Sequence, residues 1–144
     1  MEQSNYHSTF SANITPAQAY NDISNVAAWW AKSFKGKAQQ VGDTFTVQFG
    51  DTFVAFEITE AIPERKVVWH VTDCNLHWLK NKTEWTGTSI SWDIASKNGI
   101  TTINMTHIGL TPALECYENC REGWDEHVLE GLFKLATTGE VQTM

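Results

Sequence analysis

A long run of alternating apolar and polar residues, followed by one helical stretch, constrains the fold of this chain more than any other feature. After Gly36 the pattern changes to period two, the period of half-buried β-strands, and strand signals dominate for about seventy residues. From Pro112 the period becomes that of an amphipathic helix, whose apolar residues fall within about 80° of arc. These residues are Leu114, Tyr117, Trp124, Val128, Leu132 and Leu135. The order predicts a curved sheet closed by a long C-terminal helix.

Turn signals divide the alternating region into hairpins. The turn sequences are Gly50-Asp51, Ile62-Pro63-Glu64-Arg65 and Lys97-Asn98-Gly99. The segment from Asp73 to Trp85 is irregular and polar, and we interpret it as a long loop. Because strands joined by hairpins run antiparallel, the sheet should be antiparallel throughout.

The N-terminal region predicts one strand and two short helices. Residues Tyr6 to Ala12 alternate and form the first strand. Thr15 precedes Pro16, a cap residue before a proline at the first helical position, so a helix should begin there and run to about residue 23. Ser24 or Asn25 can cap a second helix that runs through the two tryptophans 29 and 30. The full order is β-α-α-β-β-β-β-β-α, with room for one further short strand, in a single α+β domain spanning 1–144.

The composition excludes several classes of function. The formal charge of −7 argues against nucleic acid and against anionic membrane surfaces, because both need clustered Lys and Arg. The N-terminus lacks the basic start and apolar centre of a signal peptide, and an odd number of cysteines favours a reducing compartment. P-loop, GxGxxG and GxSxG motifs are absent from the sequence, so no nucleotide cofactor is expected. We therefore predict a soluble, acidic, cytoplasmic domain without a cofactor or bound metal.

Six short motifs are spread over nearly the whole chain. They are Trp29-Trp30, Gly42-Asp43-Thr44-Phe45, Ile62-Pro63-Glu64-Arg65-Lys66-Val67-Val68-Trp69, Glu84-Trp85-Thr86-Gly87-Thr88, Thr106-His107-Ile108-Gly109-Leu110, and Gly123-Trp124 with Val128 and Leu132 behind it. Together and in this order they resemble the Bet v 1-like or START-related (SRPBCC) superfamily, in the branch similar to the C-terminal domain of the Hsp90 ATPase activator. The resemblance implies the helix-grip fold, which agrees with the periodicity.

The functions that this resemblance implies are broad. Members bind lipids, sterols, polyketides or plant hormones, some act as cyclases or hydrolases, and one branch stimulates a chaperone ATPase. A shared fold does not select among these functions. Three hypotheses follow for this chain: a binding protein for a small apolar or amphipathic ligand, a cyclase- or hydrolase-type enzyme, and a protein that interacts with a chaperone.

The binding hypothesis depends on aromatic residues that should face the helix across the sheet. Rings in such positions either line a cavity or fill it as a solid core. The predicted ligand-binding residues are Trp30, Phe34, Phe45, Phe56, Trp69, Trp92, Met105, His107, Tyr117 and Trp124.

The enzyme hypothesis depends on His107. This histidine shares a strand face with Ile103 and Met105, so it could act as a general base or orient a polar ligand group on an apolar wall. The alternative is a core histidine that bonds to a backbone carbonyl or to a nearby side chain.

Cys116, Cys120 and His127 fall within about 40° on the predicted helix and could hold a metal. Because a structural zinc site needs a fourth ligand and neither CxxC nor HExxH is present, we favour packing for the two cysteines. A disulfide between them is disfavoured, since one turn of helix holds the two side chains in poor geometry.

Four further side chains have both a functional and a structural interpretation. Glu60 is either an inward-facing acid or a carboxylate at a strand end in water. Arg121 could anchor an acidic ligand group, although a structural ion pair is the commoner arrangement. Leu129 and Phe133 fall outside the apolar stripe and could form a surface for a protein partner or a homodimer contact.

Overall fold

The computed structural model describes residues 5–30, 33–76, 79–80, 82–111, 114 and 117–138. The strands are β1 (Tyr6–Ala12), β2 (Ser33–Gly36), β3 (Thr44–Phe49), β4 (Thr52–Ile62), β5 (Lys66–Asn75), β6 (Ser89–Lys97) and β7 (Ile100–Ile108). The short helices are α1 (Pro16–Ser24) and α2 (Val26–Trp29), and the C-terminal helix consists of α3 (Tyr117–Trp124), a π segment (Asp125–Leu132) and α4 (Phe133–Thr138). The described strands form one antiparallel sheet in the order β1-β7-β6-β5-β4-β3-β2. This is the helix-grip arrangement that the sequence predicts.

The start of α1 follows from its first residues. The Thr15 side chain accepts a hydrogen bond from the backbone N–H of Gln18 at 3.1 Å, and Pro16 occupies the first helical position. This capping satisfies one of the N–H groups that a helix leaves unpaired at its start. Asn25 ends α1 and precedes α2, so the predicted pair of short helices is confirmed.

The hairpin between β6 and β7 shows how local residues determine the register. Asn98 and Gly99 adopt left-handed backbone conformations, with φ of 54° and 81°. Such a pair favours a two-residue turn whose twist matches that of the flanking strands. The ladder then runs without a shift from Lys97 opposite Ile100 to the other end of the two strands. Residues at alternate positions of β7 are therefore buried, and His107 is among them.

Two details of the sheet differ from or extend the prediction. β2 is the further short strand, and it pairs with β3. The loop predicted from Asp73 begins only after Asn75, because Asp73 pairs with Ala55 and Asn75 pairs with Phe53 in the ladder between β4 and β5. A polar sequence is therefore held in a strand by pairing with the long β4, which local composition does not show.

The C-terminal helix is confirmed, but its start and its interior differ from the prediction. The described helix begins at Tyr117, and Pro112 and Gly139 lie outside the described residues. Its middle is a π segment in which Phe133 N–H donates to the Val128 carbonyl, a wider turn than an α-helix makes. Burial still follows the predicted stripe at Trp124, Val128, Leu132 and Leu135.

The C-terminal helix, α1 and α2 supply buried residues to one continuous apolar core with the sheet. No helix among the described residues is long and apolar enough to cross a membrane.

Candidate functional site

Much of the space between sheet and helices is filled by packed aromatic rings. The ring centroids of Phe45 and Phe56 lie 4.9 Å apart, those of Phe45 and Trp69 5.0 Å, and those of Trp69 and Trp92 5.2 Å. Trp29 adds an edge-to-face contact with Trp92 at 5.6 Å. These separations are those of rings in direct contact. The predicted ligand-binding residues found in this packed core are Phe45, Phe56, Trp69, Trp92 and Met105.

One part of this space is open. A cavity of about 240 Å³ lies between the start of β4, the segment that follows β5, and the first turns of the C-terminal helix. Its lining residues are Trp30, Thr52, Val54, Leu76, Trp85, Asn119, Cys120, Gly123, Trp124 and His127. Of the residues predicted to bind a ligand, Trp30 and Trp124 therefore line this cavity.

Three tryptophans form an aromatic wall along the cavity. The rings of Trp30 and Trp124 have centroids 4.9 Å apart, and Trp85 stacks on Trp124 at 5.8 Å with the planes only 8° from parallel. The His127 ring lies 6.4 Å from Trp30. The wall is therefore rigid and mostly apolar, with the His127 imidazole at one side.

Sequence reasoning missed most of the other lining residues. Trp85, together with Leu76, comes from the segment that was interpreted as a polar loop, although both side chains are buried. A tryptophan inside an otherwise polar segment was the signal that could have revealed this. Thr52 and Val54 lie at the start of β4 on the same face as Phe56, and both line the cavity opposite the helix.

His107 lies behind the aromatic wall and is fully buried. The Trp124 indole N–H donates to its Nδ1 at 3.0 Å. Because an indole nitrogen can only donate, Nδ1 must be the acceptor and the ring proton must sit on Nε2. Nε2 lies 2.9 Å from the Thr88 hydroxyl, which in turn donates to the Trp85 carbonyl at 2.6 Å. One continuous chain of hydrogen bonds thus joins the wall to β7.

This arrangement leaves His107 poorly suited to catalysis. Burial lowers its pKa from 6.5 to about 3, so the imidazole is neutral at physiological pH. Both ring nitrogens are engaged, and within the described residues neither bonds to a carboxylate. His107 therefore matches the alternative interpretation of a core histidine bonded to nearby side chains.

Two predicted ligand-binding residues lie elsewhere. Tyr117 is half-buried and packs against the core at the start of α3. Phe34 lines a second cavity, of about 680 Å³, between α1 and the segment after β2. That cavity is lined mainly by polar side chains, and Tyr20 spans it by donating from its hydroxyl to the Gln39 carbonyl at 3.3 Å. The aromatic wall belongs to the smaller cavity, which is therefore the better candidate for an apolar ligand.

The cysteine and histidine group does not form a metal site in the part of the chain that is described. Cys120 is disulfide-bonded, whereas Cys74 is a free, buried thiol, and Cys116 lies outside the described residues. Cys120 is buried in the core, as the packing interpretation predicts, but its disulfide bond differs from the prediction.

The remaining candidates have structural roles or lie on the surface. Glu60 is exposed, as the alternative interpretation has it. Arg121 forms the predicted ion pair, with its guanidinium 2.8 Å from the Glu118 carboxylate. Leu129 and Phe133 are 40% and 37% exposed, as their positions outside the apolar stripe predict.

No protein-family model and no curated protein sequence matches this chain. Solved structures do share its fold. The Aha1 dimer from Colwellia psychrerythraea superimposes with a TM-score of 0.77 at 22% identity, over 94% of this chain and 97% of that one. DynU16, encoded in the dynemicin biosynthetic locus, gives 0.74 at 15% identity over 97% of this chain and 49% of that one. CalU16 from Micromonospora echinospora superimposes with a TM-score of 0.67 at 12% identity, over 92% of this chain and 76% of that one. At these identities the likeness establishes the helix-grip fold and nothing about function.

Proposed function

We propose that this protein binds a small apolar or amphipathic molecule in the cavity between the sheet and the C-terminal helix. The single observation that carries the proposal is the cavity of about 240 Å³ with tryptophan walls. Apolar side chains that border unfilled space lack packing partners on that side, and a ligand of matching shape supplies them. No catalytic step is part of the proposal, because His107 is neutral and enclosed.

The size of the cavity limits the ligand. An apolar cavity of about 150 Å³ in another protein holds one benzene ring. A volume of about 240 Å³ therefore suits a molecule of two fused rings or a short branched chain. This is smaller than the roughly 300 to 1,000 Å³ of pockets that take drug-sized ligands.

Native mass spectrometry of protein purified from the cells that produce it tests this proposal. We expect an adduct of one small molecule per chain, which solvent extraction releases for identification. Val54→Phe lengthens a side chain that lines the cavity, so the adduct should disappear in that variant. Val68→Phe is the matched control, because Val68 lies on β5 between the buried Val67 and Trp69 and so faces the opposite side of the sheet.

Each possible result of this experiment either supports or contradicts binding in the cavity. An adduct present in wild type and in Val68→Phe but lost in Val54→Phe supports binding in this cavity. An adduct that survives Val54→Phe places the ligand elsewhere and contradicts the proposal. Chains without any adduct, which also fail to take up apolar molecules of this size added in excess, contradict it as well.

Self-association is a second candidate property, carried by the exposed apolar side chains on the C-terminal helix. Leu129 and Phe133 lie one turn apart, and Phe133 contacts Phe10 of β1 with ring centroids 5.3 Å apart. β1 is also an edge strand of the sheet, with one side unpaired by the described strands. We propose that this surface forms a homodimer contact, as the Colwellia protein of the same fold was solved as a dimer.

Analytical ultracentrifugation tests the homodimer. Phe133→Glu should raise the dissociation constant at least tenfold if the surface is the contact. Ile62→Glu is the control, since Ile62 is 44% exposed at the end of β4, and three strands of the sheet separate β4 from β1. A monomeric wild type, or equal effects of the two variants, contradicts the contact. If the wild type is monomeric, the same two variants can test whether this surface instead binds a chaperone partner.

A further inference from the structure

One stripe of the C-terminal helix faces the cavity without filling it. Asn119, Gly123 and His127 are spaced by four residues, and all three line the cavity. A side chain added at Gly123 would meet no other atom within 4 Å. The backbone of the helix is therefore open to the cavity at Gly123, with the Asn119 amide on one side and the His127 imidazole on the other. We call this gap the Gly123 notch.

Packing within the described structure does not explain a glycine at this position. At Gly131, in contrast, an added Cβ would lie 2.6 Å from the Trp29 carbonyl oxygen, so the close approach of α2 requires glycine there. Glycine weakens a helix interior relative to alanine. A glycine that opens onto a cavity and has no neighbouring protein atom nearby provides room for part of a ligand.

The Gly123 notch is also the polar end of the cavity. Asn119 is exposed and lines the cavity, so the cavity opens to solvent beside it. The opposite boundary is the tryptophan wall formed by Trp30, Trp85 and Trp124. A flat apolar body would therefore lie against the wall, with a polar group directed to the amide of Asn119.

The charges around the Gly123 notch favour a neutral polar group. Carboxylates occur on this stretch of helix at Glu118, Glu122, Asp125 and Glu126. Arg121 is engaged by two of them, at 2.8 Å and 3.9 Å. Burial lowers the pKa of His127, which disfavours the charged form of this imidazole. A ligand carboxylate would face four carboxylates on this stretch of the described helix, whose one arginine is already paired.

We propose that the cavity takes a neutral, hydroxylated bicyclic aromatic molecule, whose rings lie on the tryptophan wall and whose hydroxyl occupies the Gly123 notch and bonds to Asn119. The inference rests on the proposed binding function and adds the chemical class of the ligand. The tryptophan wall contributes stacking, and the hydroxyl contributes one hydrogen bond in a partly water-excluded site.

Three probes of the same ring system test this class: naphthalene, 2-naphthol and 2-naphthoate. Each is titrated into the whole, ligand-free chain at neutral pH while the backbone amide signal of Gly123 and the indole signals are followed by NMR. We expect 2-naphthol to bind roughly threefold to tenfold more tightly than naphthalene, the effect of one net hydrogen bond. We expect 2-naphthoate to bind about tenfold more weakly than 2-naphthol, because its charge stays unpaired.

Substitutions identify the residues that bind the probes. Gly123→Leu fills the notch and should abolish binding of all three probes, while Glu130→Leu adds the same side chain at an exposed position of the helix and should change nothing. Asn119→Ala should bring the affinity for 2-naphthol down to that for naphthalene. Each variant is used only if its NMR spectrum shows a folded protein. Because Asn119 is exposed, Asn119→Ala is expected to fold, so it tests the proposal even if Gly123→Leu does not fold.

The results distinguish this inference from the function on which it rests. Equal affinities for naphthalene and 2-naphthol, or tightest binding of 2-naphthoate, overturn the hydroxylated class and leave the binding function intact. Binding of none of the three probes to the wild type contradicts both.

Discussion

Gly123 and Gly131 lie two turns apart on the same helix, yet they have opposite surroundings. Gly123 faces open cavity, whereas Gly131 lies against the carbonyl of Trp29. We predict that Gly123→Ala raises the free energy of unfolding by about 0.5 to 1 kcal/mol through helix propensity. We predict that Gly131→Ala lowers it by about 1 to 3 kcal/mol, because α2 or the helix must shift.

Urea unfolding of the two variants beside the wild type measures both effects. A Gly131→Ala protein as stable as the wild type would show that the approach to Trp29 is looser than described. A Gly123→Ala protein that loses stability would show that the cavity beside Gly123 is filled.

The buried, neutral His107 makes the free energy of unfolding depend on pH. Its pKa is about 3 in the fold against 6.5 when unfolded, so only the unfolded chain binds this proton between those pH values. The contribution of the neutral His107 to the free energy of unfolding is therefore fully present above pH 6.5, and it is lost as the pH falls from 6.5 toward 3. The slope is about 1.4 kcal/mol per pH unit for one proton.

Unfolding free energies measured between about pH 4.5 and 6.5, inside this window, check the prediction. His107→Asn should flatten the slope by one proton, while His7→Asn, at an exposed position on β1, serves as the control. Nitrogen chemical shifts in the wild type should report a neutral ring protonated at Nε2 throughout. A His107 that titrates near pH 6.5 would contradict the enclosed hydrogen-bond chain.

At the scale of elements, the hydrogen bonds of His107 join three parts of the fold. Trp124 belongs to α3, His107 to β7, and Thr88 to the segment that precedes β6. Each side chain satisfies a polar atom that would otherwise be buried without a partner. The position of the tryptophan wall therefore depends on the sheet as well as on helix packing.

Breaking either end of this chain should be costly. Trp124→Phe leaves Nδ1 of His107 without a donor, and Thr88→Val leaves the Nε2 proton without an acceptor. Each should lower the free energy of unfolding by about 1 to 3 kcal/mol, apart from the packing lost at Trp124. The double variant should cost less than the sum, because both changes act on the same imidazole. Strict additivity of the two costs would contradict a shared network.

How far the sequence predicts each element depends on how local its determinants are. Thr15 with Pro16, and Asn98 with Gly99, specify a helix start and a turn from adjacent residues, and both predictions are confirmed. The end of β5 was predicted too early, because pairing with β4 holds a polar segment in the sheet.

The candidate site was less predictable because it depends on distances through space. The stripe of the C-terminal helix identified Trp124, but no spacing in the sequence shows that Trp85 stacks on it or that His107 accepts its N–H. Period-two alternation places Phe45 and Trp69 on the inner face correctly. It does not distinguish a ring that packs against other rings from one that borders empty space, since that depends on how far the helix lies from the sheet.

At the scale of the whole molecule, the fold divides the space between sheet and helix into a packed part and an open part. The packed part holds most of the large rings and stabilises the domain. The open part is smaller, and its mouth is formed by the first turns of the helix. Trp30, Val54 and Trp124 belong to both the core and the cavity wall, whereas Asn119 and Gly123 line the cavity without being part of the core. Variants at Asn119 and Gly123 are therefore expected to fold.

The central claim is that this cavity is open, apolar and able to take a ligand. A crystal of the ligand-free protein pressurised with xenon measures this directly, because xenon binds in apolar cavities. We predict xenon density between Trp30, Val54 and Trp124, and its loss in Val54→Phe. Xenon absent from this position, or an ordered protein side chain occupying it, would contradict the claim.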